Sequence, residues 1–74
     1  MLNEGDRVHL DDLILQDPST KANHFLFQHA LDNDELGIVQ YLDTQKSTPG
    51  QDLYWVKYSF FTIRIDSKYL VKEG

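Results

Sequence analysis

Apolar and polar residues alternate along much of this chain, most clearly over residues 53–65, LYWVKYSFFTIRI. A period of two marks a half-buried strand, and β-branched and aromatic side chains suit its pleated surface. Tyr54, Val56 and Tyr58 are predicted to face inward, with Trp55 and Lys57 outward. Past a kink at Ser59, the inward set continues with Phe61, Ile63 and Ile65, leaving Phe60, Thr62 and Arg64 outside. Residues 5–10 alternate in the same way, Val8 and Leu10 against Arg7 and His9, and predict a short first strand. Leu13, Ile14 and Leu15 either extend that strand or fold back over the core. Gly37 opens a further strand over residues 38–42. Ser47, Pro49 and Gly50 mark residues 44–52 as a hairpin loop. A turn at residues 66–68 precedes a last short strand at Tyr69, Leu70 and Val71.

Between the first two strands the period changes. Asp17 and Pro18 form a helix start, with Asp17 as N-cap and Pro18 at the first helical position. Ala22, Phe25, Leu26, His29 and Ala30 follow at helical spacing and predict one buried stripe. No β-branched residue occurs between Thr20 and Ile38. A helix over roughly residues 18–31 is therefore expected, with a hairpin arm as the rival, since Phe25, Phe27 and His29 also alternate. Residues 32–35 are a polar break whose acids oppose the helix dipole.

The whole chain, residues 1–74, is expected to form one domain. It has no cysteine, so neither disulfides nor thiolate-bound zinc supplement its core. Hydrophobic residues make up 41% of it, enough for a compact core, with a monomer or weak homodimer expected. No apolar run approaches the roughly 20 residues that span a bilayer, and the acidic start lacks a signal peptide's basic and apolar regions. The expectation is therefore a cytoplasmic protein with no membrane association. The net charge of −5 is uneven: residues 1–37 carry eight acids and two bases, residues 38–74 four acids and five bases. Phosphate binding would have to use the C-terminal half alone.

Three pieces resemble the SH3-like small β-barrels, including the KOW and Tudor types. Gly5-Asp6-Arg7-Val8 looks like their first-strand opening, Gly37-Ile38-Val39 like the Gly-x-Val of the second strand, and Tyr54-Trp55-Val56-Lys57-Tyr58 like the third. Lys68-Tyr69-Leu70-Val71 matches their short turn and closing strand. The likeness covers residues 5–10 and 37–72, and the departure is an insertion over approximately residues 11–36. It implies an α+β, mainly β fold: a small SH3-like barrel of about five antiparallel strands, with a helical or looped insertion after the first. It leaves function open, since such barrels bind RNA, DNA, modified peptides and proteins.

The residues argue against catalysis and metal binding. Ser19, Ser47, Ser59 and Ser67 sit in turn or cap contexts, and no nucleophile elbow or phosphate-binding glycine loop occurs. On a helix His24 and His29 would lie about 140° apart, and strand alternation separates His9 from Asp12. No catalytic residue, metal ligand or cofactor is assigned. The candidate site is a partner-binding face made by Trp55 and Phe60 as apolar anchors, with Lys57 and Arg64 beside them. The expected role is non-catalytic protein–protein interaction, unless the insertion covers this face. Alternatives are a KOW-like nucleic-acid binder using Lys46, Lys57, Arg64, Lys68 and Lys72, or an acidic DNA mimic using Asp11, Asp12, Asp17, Asp32, Asp34 and Glu35. A Tudor-like cage for a methylated side chain would need Tyr41, Tyr54, Trp55 and Tyr58 to converge.

Overall fold

A computed structural model describes residues 2–74. It contains five strands, β1 (Arg7–Leu10), β2 (Gly37–Leu42), β3 (Leu53–Lys57), β4 (Thr62–Asp66) and β5 (Leu70–Lys72), and one α-helix, α1 (His24–Asp32). The strands form a single antiparallel sheet in the order β4-β3-β2-β1-β5, open between β4 and β5. The fold is thus α+β and mainly β. Among the described residues, no helix is long and apolar enough to cross a membrane.

Alternation sorts the sheet as the sequence predicts. Val8, Val39, Tyr54, Val56, Tyr58, Ile63 and Ile65 are all buried on one face. Arg7, His9, Lys57, Thr62 and Arg64 are exposed. The expected kink at Ser59 is a full reversal: the Tyr58 amide donates to the Phe61 carbonyl at 2.7 Å, and β4 runs back along β3. At residues 3–6 the chain makes another tight turn, for which Gly5 takes φ of +87°, a region costly for residues with a Cβ. Gly37 is needed for a different reason. A Cβ there would meet Val56 Cγ1 and lie 2.9 Å from the Tyr58 ring, so β2 starts on a residue that lets these two side chains close over it.

The insertion closes the inner face. It begins with a 3-10 helix, Asp12–Gln16, which turns Ile14 into the core at 1% exposure, so residues 13–15 fold back instead of extending β1. A second 3-10 helix, Pro18–Asn23, carries Asp17 as N-cap and Pro18 in its first turn. Only then does α1 begin, and it buries Phe27 and Ala30. The stripe predicted from residue 22 onward is therefore wrong in phase: Phe25 is 71% exposed, and Ala22 and His29 are exposed too. The period is right but the rotation is not: Ala30 is buried and Leu26 packs against the core, yet α1 is turned so that Phe27 joins them in place of Phe25 and His29. Residues 26, 27 and 30 satisfy helical spacing as well as residues 25, 26 and 29 do, so periodicity alone does not choose between the two faces.

Two polar ties fix the insertion. The Asp17 carboxylate accepts from the Ser19 hydroxyl (2.7 Å), the Ser19 amide (2.9 Å) and the Tyr69 hydroxyl (2.7 Å), 52 residues away in the last 3-10 turn, Ser67–Tyr69. Bonding from the Ser19 hydroxyl, then from Tyr69, draws the Asp17 carboxyl down to about 2, and the same contact pushes the Tyr69 phenol up to about 12. At the other end, Glu35 accepts from the Ser59 amide at the β3–β4 turn.

Candidate functional site

The outer face of the sheet holds the candidate site. Trp55 stands opposite Arg64 on β4 and opposite Tyr41 on β2. The second neighbour depends on a β-bulge. Val39 pairs with Val56 and Tyr41 with Trp55, so Gln40 is the extra residue and shifts the strand's phase. Without it Tyr41 would share the buried side of Val39; with it Tyr41 turns outward, 59% exposed, its ring centroid 6.5 Å from that of Trp55.

The Trp55 ring is fastened at its edge and over its face. Its Nε1–H donates to Asp43 Oδ2 (3.3 Å), which also receives Arg64 Nη1 (3.2 Å), while the Arg64 guanidinium lies over the ring, 5.8 Å from its centroid. The other Asp43 oxygen accepts the backbone amides of Gln45 and Lys46, both at 3.1 Å. Desolvation pushes the Asp43 carboxyl upward, but the donors from Lys46, Arg64, Gln45 and Trp55 outweigh it and hold the group below its usual range. Asp43 therefore stays ionised and anchors loop, indole and guanidinium together. Its role was hidden in the sequence, because only the β2–β3 and β3–β4 pairings together bring residues 43, 55 and 64 to one point.

Of the four predicted partner-binding residues, the structure brings together three. Trp55, Lys57 and Arg64 share the outer face of β3 and β4. Phe60 does not join them. As the tip of the reversal it is 84% exposed and lies against α1, its ring edge-on to His29 at 6.0 Å, beside Phe25, Leu26 and Phe61. The insertion covers neither residue fully: α1 packs on β1 and the two 3-10 helices, on the inner side.

The other arrangements fare differently. Tyr54 and Tyr58 are buried at 4% and 3% on the inner face, so they cannot form a cage with Tyr41 and Trp55 outside. Among the described residues, no three His, Asp or Glu side chains converge as a metal site would require. His24 bonds to Thr20 Oγ1 (2.8 Å), His29 contacts Phe60, and His9 lies on the exposed side of β1. Several acids of the N-terminal half are engaged locally: Asp11 caps the Leu13 amide, Asp17 holds Ser19 and Tyr69, Glu35 holds Ser59, and Asp32 accepts from Gln28. Compared with protein-family models, curated proteins and solved structures, the chain matches none.

Proposed function

We propose that this protein is a non-catalytic binding module that holds a protein partner on the outer face of its sheet, with Trp55 at the centre. The observation that carries this reading is the way Trp55 is fastened by Asp43 and Arg64 beside an exposed Tyr41. An aromatic anchor already fixed in place loses little side-chain freedom on binding, and Trp, Tyr and Arg dominate interface energetics. Fold kinship with the SH3-like barrels belongs to the same proposal. It is supported by the Gly5-Asp6 turn before β1, Gly37 at the head of β2, and the one-turn 3-10 helix before β5.

Capture from a lysate of the native host, with and without nuclease, tests the face. Tyr41→Ser removes an exposed side chain and Trp55→Ala the anchor; each should weaken capture of a nuclease-resistant protein about tenfold or more. Equal capture by wild type and both variants would refute the reading. Nucleic acid is the second reading, favoured by one observation: Lys57 and Arg64 stand on the same outer face as the Trp55 and Tyr41 pair, in a chain that is otherwise acidic. A nuclease-sensitive, steeply salt-dependent signal would put it first.

A further inference from the structure

The open edge of β4 has free backbone groups, and the register shows which. The Tyr58 amide bonds to the Phe61 carbonyl, and the Ser67 amide to the Asp52 carbonyl. These contacts fix the hydrogen-bonded pairs of the β3–β4 ladder as Val56 with Ile63 and Tyr54 with Ile65. Thr62, Arg64 and Asp66 are then the non-bonded positions, whose N–H and C=O point away from β3. Among the described residues, nothing receives the backbone of Thr62 or Arg64 on that side. The edge contains no proline, and no bulge interrupts its pairing with β3.

A cleft lies between this edge and the insertion at either end. At the hairpin tip, Phe25, Leu26, His29, Phe60 and Phe61 line a largely apolar cleft of about 340 Å3. At the far end, Asn23 and Phe27 face Arg64, Ile65 and Asp66 across a polar cleft of about 290 Å3. Phe25 and Phe60 are the two most exposed large hydrophobic residues described, and both belong to the first cleft. On the outer side, Lys57 and Arg64 flank Thr62.

We infer that β4 accepts an extended segment of another protein as a sixth strand, and that this segment carries an apolar side chain and, further along, an acidic one. The apolar side chain enters the cleft between Phe25 and Phe60. The added strand's backbone pairs with Thr62 and Arg64. Its outward side chains pass Lys57, which no carboxylate pairs among the described residues, and Arg64, of which Asp43 holds only Nη1; this is the charge complement that selects an acid. At about 3.3 Å per residue, the tip cleft and Arg64 are spanned by roughly three residues, which puts the two determinants on opposite faces of the added strand. Main-chain pairing supplies affinity and the two side-chain contacts supply selectivity. The Arg64 side chain serves both faces, so protection of the Thr62 and Arg64 backbone amides is what separates this pairing from the outer-face proposal.

The test is selection of phage-displayed random linear decapeptides on the folded protein, followed by titration of a selected peptide into isotope-labelled protein. Selected peptides should share an apolar residue and an acid about three positions apart, and should protect the Thr62 and Arg64 amides from exchange. Methylating the peptide nitrogens one at a time should weaken binding about tenfold at every second position and little between them. Thr62→Pro removes one outward amide at the first residue of the strand, where proline is tolerated; it should lose the peptide while keeping the fold. Phe60→Ser should weaken binding. No enrichment, an N-methyl scan without alternation, or shifts confined to Tyr41 and Trp55 would overturn the inference. So would self-association that protects the Thr62 and Arg64 amides as protein concentration rises, since a second copy would then be the added strand.

Discussion

The β3–β4 hairpin and the insertion before β2 both carry closely spaced aromatic residues, and they sort them by different rules. In the hairpin, Tyr54 and Tyr58 are buried while Trp55 between them faces outward, in line with simple alternation. In the insertion, Phe25 and Phe27 are two residues apart, and the helical stripe selects the wrong one: Phe27 is 1% exposed and Phe25 71%. A strand has two faces, so its period assigns every residue once a single one is placed. A helix must also be rotated to the right angle, and that rotation is set by what it packs against: Phe27 and Ala30 meet Ile14 and the inner face of the sheet. Sidedness is read reliably from strands; helix rotation needs the tertiary partner.

The largest expected effect breaks this comparison directly. Phe27→Ala should cost about 3–5 kcal/mol, a large share of the roughly 4–11 kcal/mol expected for a chain of this length. Phe25→Ala should change stability by no more than about 0.5 kcal/mol. Urea unfolding of the two variants measures both, and equal losses would mean that α1 is rotated from the orientation described. Next comes the hairpin side. Gly37→Ala must push a methyl against Val56 and the Tyr58 ring, so a loss of about 1–3 kcal/mol is expected from overpacking. An unchanged midpoint would show that Tyr58 moves aside freely.

The smallest effect concerns what fastens the insertion. Because Asp17 in the folded chain is held at about 2, below its usual value near 4, the folded state binds this proton less readily than the unfolded state. Its stabilisation is complete above about pH 4 and is lost as the pH falls toward 2. Tyr69, raised to about 12, contributes in the opposite direction: its share is complete below about pH 10 and disappears as the pH rises through 12. Asp17→Asn should flatten the acid limb of a stability-against-pH curve and lower the Tyr69 titration midpoint measured by absorbance. An acid limb unchanged by this substitution would show that Asp17 does not couple folding to protons.

The extended segments, the facing residues of β1, β3 and β4, the loop at residues 44–52 and the Asp17–Pro18 cap were legible in the sequence, because each rests on local periodicity or local hydrogen bonding; the reversal that divides residues 53–65 into two strands and the bulge in β2 were not. Much of the candidate site was legible as residue types but not as an arrangement. Trp55 and Phe60 both read as outward, yet the first is half-buried beneath Arg64 and the second sits apart from it at the hairpin tip, against His29 of α1. Alternation says which side a residue takes, whereas its neighbours on that side come from the partner strands.

Three tertiary decisions therefore made the site. The reversal at Ser59 and Phe60 set Arg64 opposite Trp55. The bulge at Gln40 turned Tyr41 outward to join them. The insertion folded onto the inner face, leaving the outer one open. By itself the sequence determined a small, mainly β domain with one aromatic and basic strand face, since side-chain period and turn chemistry act over a few residues. The structure alone decided which of those side chains meet, because that depends on contacts between residues 12 to 52 positions apart, where no local preference reaches.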